Sequence, residues 1–164
     1  MADIKTRDGI LYFDIEETDD DGNRHVKTSA SRRKIPIHSG LVEHGFLDYV
    51  SSIRSRRETD LFPELKPAPP AHKYGEKLHY TYSTAMKKQF DGNPRKLGLH
   101  SLRHYVKQEL DGHISVSGKA RRDILGHEGK DVHDAVYGTA SPLEDLQRAI
   151  ELLPFPLARR DNRC

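Results

Sequence analysis

"GLHSLRHYV", residues 98–106, sets His100, Arg103 and His104 within nine residues otherwise supplied with leucine, tyrosine and valine. At spacings of i, i+3 and i+4 the three polar side chains share one face if the stretch is helical. Metal coordination, grip on an anion and packing in a core compete for such a cluster. As zinc ligands, His100 and His104 have a workable spacing, with His127 as a third. Between them, however, stand Ser101, Leu102 and Arg103 rather than the Glu that serves a metallohydrolase as base, and a fixed guanidinium repels a divalent cation. An anion suits the cluster better. His100 and Arg103 fall near a helix start, where unpaired backbone N–H groups and the dipole favour negative charge, and Arg adds a two-pronged fork for phosphate. His104 takes a structural, supporting place.

A second stretch, "DILGHEGKDVHDAVYG", residues 123–138, places His127 directly after Leu125 and Gly126, with Tyr137 ten positions later. His-x-x-Arg, then Leu-Gly-His, then Tyr at this spacing resembles the signature of the tyrosine recombinases, the phage integrase family. "VKTSASRRKIPIH", residues 26–38, is similar to the family's β-hairpin, in which a lysine precedes a small turn and an Arg-x-x-Pro strand. "LFP", residues 61–63, is similar to a recurrent segment of the same domains. The resemblance runs from about Asp3 to Leu153.

The resemblance implies a role for each matching residue. Tyr137 is the expected nucleophile, attacking a DNA phosphate to leave a 3′-phosphotyrosine and a free 5′-hydroxyl; the covalent link conserves the bond for rejoining without ATP. Arg103 is expected to hold the non-bridging oxygens as their charge grows. His100 and His127 are expected to bond the same phosphate or manage the tyrosine proton. Lys27 corresponds to the hairpin lysine that protonates the leaving 5′-oxygen. No metal or other cofactor is required. The family's site has a second arginine, upstream of the hairpin and followed by a segment ending in an Asp-Ile-like pair. Asp3 and Ile4 resemble that pair, so the arginine would precede Met1; neither Arg7 nor Arg24 sits in the matching context. The chain is therefore expected to be a catalytic domain truncated at its N-terminus, without the core-binding domain. Losing one of two clamps costs on the order of 3 kcal/mol of transition-state stabilisation, which predicts weak or absent cleavage by the isolated chain.

Composition fits one domain. The chain has 164 residues, 27 Lys and Arg against 25 Asp and Glu, and ten histidines, so its net charge points to no partner. The distribution is more informative: an acidic run, Glu16 to Asp21, is followed at once by Arg24, Lys27, Arg32, Arg33 and Lys34, and a basic stripe needs no basic average. The lone cysteine, Cys164, excludes an intrachain disulfide and suits a reducing interior. No apolar run approaches the roughly 18 residues of a membrane span, and no signal-peptide core opens the chain. A cytoplasmic location with no membrane partner is expected.

Periodicity predicts an α+β fold, mostly helical, with a small antiparallel sheet at one edge. "ILYFDIE", residues 10–16, and the stretch ending in "RKIPIH", residues 33–38, read as strands; Pro36 makes the latter an edge or its end. Three-four apolar spacing predicts one helix over 39–57, and the prolines between 59 and 73 a loop. Further helices are expected near 75–90, 100–111, 117–125 and 131–137, with Gly126 as a stop. Ser141, Pro142 and Glu144 read as cap, first turn and capping box of a last helix over 142–153, whose apolar stripe of Leu143, Leu146, Ile150 and Leu153 suits either its own domain or a neighbouring copy. The expected division is 1–153 as an integrase-type catalytic domain and 154–164 as a flexible tail. The expected function is site-specific DNA recombination for a phage or mobile element, integration included, acting on double-stranded DNA as a homotetramer in the full-length parent. The alternative is a non-catalytic DNA-binding module that keeps the recombinase fold.

Overall fold

The structure, a computed structural model, describes residues 4–16, 32–66, 75–127 and 140–155. Three strands come first: β1 (Ile4–Arg7), β2 (Ile10–Ile15) and β3 (Arg33–Pro36). Then follow α1 (Ser39–Glu43), α2 (Phe46–Ser55), a 3-10 turn (Pro63–Leu65), α3 (Glu76–Gln89), α4 (Leu99–Gly112), α5 (Gly118–Leu125) and α6 (Leu143–Glu151). This is the mixed, mainly helical architecture with a small antiparallel sheet that the sequence predicts. The chain divides into two compact units, residues 50–108 and residues 2–49 with 109–164.

The second of these units is built on the sheet, in which β2 pairs antiparallel with β1 on one side and β3 on the other. β1 was not expected from the sequence. It joins β2 through Asp8 and Gly9, both at positive φ (50° and 79°), as a tight hairpin requires, with Arg7 opposite Ile10. Pro36 ends β3, an edge strand, where its missing N–H costs no ladder bond. Tyr12 and Asp14 are buried on β2, and the Asp14 carboxylate accepts from Lys5 Nζ at 2.6 Å. Phe13, on the opposite face of β2, meets the Phe46 ring edge-on at 5.8 Å. Against β3 pack α5 and α6, which also pack on each other. Their buried residues, Ala120, Ile124 and Leu125 with Leu146, Ala149 and Ile150, join Leu110 and Val116 in the core. The stripe of α6 is thus spent largely within its own unit.

Two expectations about helices are corrected. The helix expected over 39–57 is two helices, because Gly45 adopts φ +85° after α1, a left-handed conformation that stops the helix. The capping box expected at Ser141 does not form: the cap residue of α6 is Pro142, without a side-chain hydrogen bond. Ser141 is instead engaged by Asp123, as described below. The expected helix near 131–137 lies outside the described residues. Phe155, in the segment expected to be a flexible tail, stacks on His38 with ring centroids 5.1 Å apart and lies 4.9 Å from His44.

The unit of residues 50–108 is differently made. Val50 and Ile53 are buried, whereas α3 has no buried residue. Lys77 Nζ donates to the Glu64 carbonyl, fastening α3 to the 3-10 turn. Lys66 pairs with Asp60 at 2.9 Å and Glu58 at 3.5 Å; the Asp60 hydrogen bond is the main cause that raises its pKa. Twelve Lys and Arg against five Asp and Glu fall in this unit, while the sheet unit has 15 against 20. The near-neutral chain is therefore two units of opposite charge.

Candidate functional site

α4 carries the first group of candidate residues. The approach to it, "DGNPRK", residues 91–96, places Asp91, Gly92, Asn93 and Lys96 at positive φ. Asn93 secures this unusual backbone twice over, its Oδ1 accepting from Leu97 N–H and its Nδ2 donating to Leu97 O, both at 2.9 Å. Ser101 Oγ accepts the Gly98 N–H at 3.1 Å, a side chain in the first turn reaching back to the residue before the helix. His100 and Arg103 follow on one face. His100 is exposed and Arg103 half-buried. The imidazoles of His100 and His104 meet edge to face, 4.7 Å between centroids at 87°. Arg103 makes no ion pair or hydrogen bond among the described residues, and Leu102 and Tyr105 are 48% and 47% exposed. That exposure removes the core-packing reading for Leu102 and Tyr105, while Arg103 lies half-buried in the second turn of α4. No group of three or more His, Cys, Asp or Glu among the described residues is arranged to hold a metal.

α5 carries the second group. Ser117 Oγ accepts the Ala120 N–H at 3.1 Å and caps its start. Gly126 ends it at φ +62°, in the left-handed region, and the next N–H, that of His127, returns to the Arg122 carbonyl at 3.0 Å. This six-to-one bond over a left-handed glycine is the Schellman arrangement. It gives "LGH" a physical sense: Leu125 is buried, Gly126 permits the turn, and His127 leaves the helix with its backbone fixed.

His127 lines a cleft of about 680 Å³ within the sheet unit. Arg32, Arg33 and Lys34 from the β3 edge, Arg7 and Arg122 line it too, as do Asp8, Asp14, Glu16, Asp123 and Glu144. Two of these acids are matched inside the unit, Asp14 by Lys5 and Asp123 by Lys119 at 2.9 Å. Burial alone would raise the Asp123 pKa; the Ser141 hydroxyl and N–H and the Lys119 ammonium outweigh it and hold the carboxyl below its usual range. Lys34 Nζ stands 5.5 Å from the centre of the Tyr12 ring.

Of the sequence-predicted residues, His100 and Arg103 lie together on α4 and His127 lies at the end of α5. Lys27 and Tyr137 lie outside the described residues. Sequence reasoning did not single out Arg122 or Asp123, which lie one turn before His127; the run Arg32-Arg33-Lys34 was visible as charge without a site to belong to. His38 and His44 are structural: each bonds backbone of the sheet unit. No protein-family model matches the chain, and no curated protein or solved structure matches it. No helix among the described residues is long and apolar enough to cross a membrane.

Proposed function

We propose that the chain is the catalytic domain of a tyrosine recombinase of the phage integrase type, which cuts and rejoins double-stranded DNA through Tyr137. The observation that carries this reading is His127, fixed by the Gly126 turn in the lining of a cleft that also holds Arg32, Arg33, Lys34 and Arg122. Arg103 supports it as a guanidinium with no protein partner among the described residues. In the proposed reaction the Tyr137 phenol oxygen attacks phosphorus, the bond to the 5′-oxygen breaks, and the enzyme retains the 3′-phosphate as a tyrosyl ester. Histidine, His127 or His100, takes or shares the phenol proton; Lys27 returns a proton to the departing 5′-oxygen. Arg103 stabilises charge on the non-bridging oxygens. Rejoining is the reverse, with the 5′-hydroxyl as nucleophile. The working assembly on DNA is a homotetramer that pairs four sites on two duplexes.

A nicked duplex whose cleavage releases a short 5′-hydroxyl fragment tests this proposal by trapping the adduct. The wild-type protein is expected to form a protease-sensitive, detergent-stable DNA adduct. Tyr137→Phe is expected to form none; an adduct that persists in that variant overturns the proposal.

A second reading, a DNA-binding module without chemistry, is favoured by one observation of its own, the excess of twelve cations over five anions in residues 50–108. Such a surface engages phosphates whatever the fate of Tyr137. Duplex binding equal in wild type and Tyr137→Phe, with no DNA adduct formed by either, selects this second reading.

A further inference from the structure

We infer that Lys34 and Arg122 are phosphate-holding residues of the cleft in the sheet unit, each seating a backbone phosphate that flanks the one presented to His127. The inference rests on the recombinase reading for its substrate, duplex DNA. Lys34 is placed by the sheet. Its register partner on β2 is Asp14, and the pairing of Lys5 with Tyr12 puts all four side chains on one face. Asp14 is matched from β1, by Lys5 at 2.6 Å, and the half-buried Lys34 has no carboxylate partner among the described residues. The Tyr12 ring fixes its ammonium instead, 5.5 Å from the centroid and within cation–π range. A ring face holds a cation without engaging its three N–H donors as a carboxylate would, so they stay available to an anion entering the cleft.

Arg122 is placed by α5. Its Nη1 lies 3.7 Å from the position of a Cβ on Gly118, so the side chain runs back along the helix, away from the turn at Gly126. From Gly118 to Leu125, the length of α5, the helix rises about 10 Å. Hydrogen bonds reach only about 3 Å, so the guanidinium and His127 address different phosphates. The cleft has room for both: at about 680 Å³ it is the size of a site for a whole organic ligand rather than for one ion. Its charge agrees. The five Lys and Arg of the lining equal its five Asp and Glu, but Asp14 and Asp123 draw counter-charge from Lys5 and Lys119, which stand outside the lining. The balance around the cleft is therefore positive. Because its cations sit at separate places, on β3 and along α5, the ligand they fit is a chain of phosphates, with Arg122 offering a two-pronged fork and Lys34 a point charge.

The salt dependence of duplex binding by the full chain tests this. The logarithm of the binding constant falls with the logarithm of salt concentration, with a slope of about 0.9 for each phosphate neutralised. Lys34→Gln and Arg122→Gln are each expected to flatten the slope by about 0.9, and the double variant by about twice that, because the two contacts are separate. Arg122→Lys, which keeps the charge, is expected to retain the wild-type slope while binding more weakly through loss of the fork. A slope unchanged in the glutamine variants overturns the inference, and so does a slope lost equally in Arg122→Gln and Arg122→Lys, which marks a structural role. Should the glutamine variants fail to fold, chemical footprinting of the unmodified chain decides. Bound duplex is expected to shield Lys34 from acetylation and Arg122 from a dicarbonyl reagent, read by peptide mass; equal modification of the free and bound protein overturns the inference. If the wild-type protein forms no adduct on the nicked duplex while the slopes respond as stated, the recombinase reading fails and the phosphate seats stand. If the adduct forms and the slopes do not respond, the recombinase reading stands and the phosphate seats fail.

Discussion

His38 Nδ1 accepts the Gly40 N–H at 2.9 Å, which leaves its Nε2–H to donate to the Leu153 carbonyl at 3.1 Å, so one imidazole joins the start of α1 to the end of α6. Glu151 reinforces the joint by accepting the Ser39 N–H and hydroxyl at 2.8 and 2.6 Å. His38→Ala leaves a half-buried N–H and carbonyl without these partners. It is expected to lower stability by about 1–3 kcal/mol, the cost of orphaned polar groups. Chemical denaturation of the two proteins measures it; a midpoint unchanged within error refutes the joint.

Gly126 is the turn on which the placement of His127 depends. An alanine at φ +62° pays roughly 1–2 kcal/mol for its Cβ in the left-handed region. Gly126→Ala is expected to lower the unfolding midpoint by that amount and to reduce adduct formation on the nicked duplex by more than the stability loss explains, because His127 leaves the helix at a different angle. Equal rates for the two proteins under conditions where both are folded would count against His127 as part of the site.

Arg103 carries the proposed charge stabilisation. Arg103→Gln is expected to lower adduct formation on the order of a hundredfold or more, as loss of a transition-state donor does, with little change in stability because the guanidinium has no protein partner among the described residues. A large loss of stability with proportionate loss of rate would make Arg103 structural.

Acid should loosen the Asp123 anchor in a defined sense. Its carboxyl is held below the usual range in the folded chain, so the ionised form is favoured by folding. The contribution is complete above the unfolded carboxylate pKa, about 3.9, and is lost as pH falls through the lower folded value. Hydrogen exchange at Ser141, compared at matched intrinsic rates, is expected to speed up below about pH 4, and in Asp123→Asn this acceleration is expected to vanish.

Leu110, fully buried in the sheet unit, tests the core. Leu110→Ala is expected to cost about 2–5 kcal/mol, read by denaturation; a cost below 1 kcal/mol would mean that the end of α4 is not packed.

Strands β2 and β3, α3 to α6 and the stop at Gly126 were legible because each is coded by neighbours: apolar period, a cap or a left-handed glycine. β1 was missed although Asp8-Gly9 carries the hairpin signal, because its four residues include one apolar side chain and three exposed ones; backbone pairing with β2 makes the strand. The division at Gly45 was hidden because three-four apolar spacing continues through it, from Leu41 and Val42 to Phe46 and Val50. The Ser141 cap was misread because Asp123, remote in sequence, takes the group that a local reading assigns to α6. The candidate site follows the same rule. His100, Arg103 and His127 could be picked out by motif, whereas the cations of β3 and Asp123 acquire a place beside His127 only when the sheet unit folds.

Gly40 has the ring of Phe155 where a side chain of its own would be, its nearest ring carbon 2.6 Å from the position of a Cβ. The two positions therefore share a single allotment of volume, divided between α1 and the segment after α6. An enlargement at 40 is tolerable only with a reduction at 155, so the pair should exchange size together in any lineage that retains this fold, and selection at one position would be felt at the other.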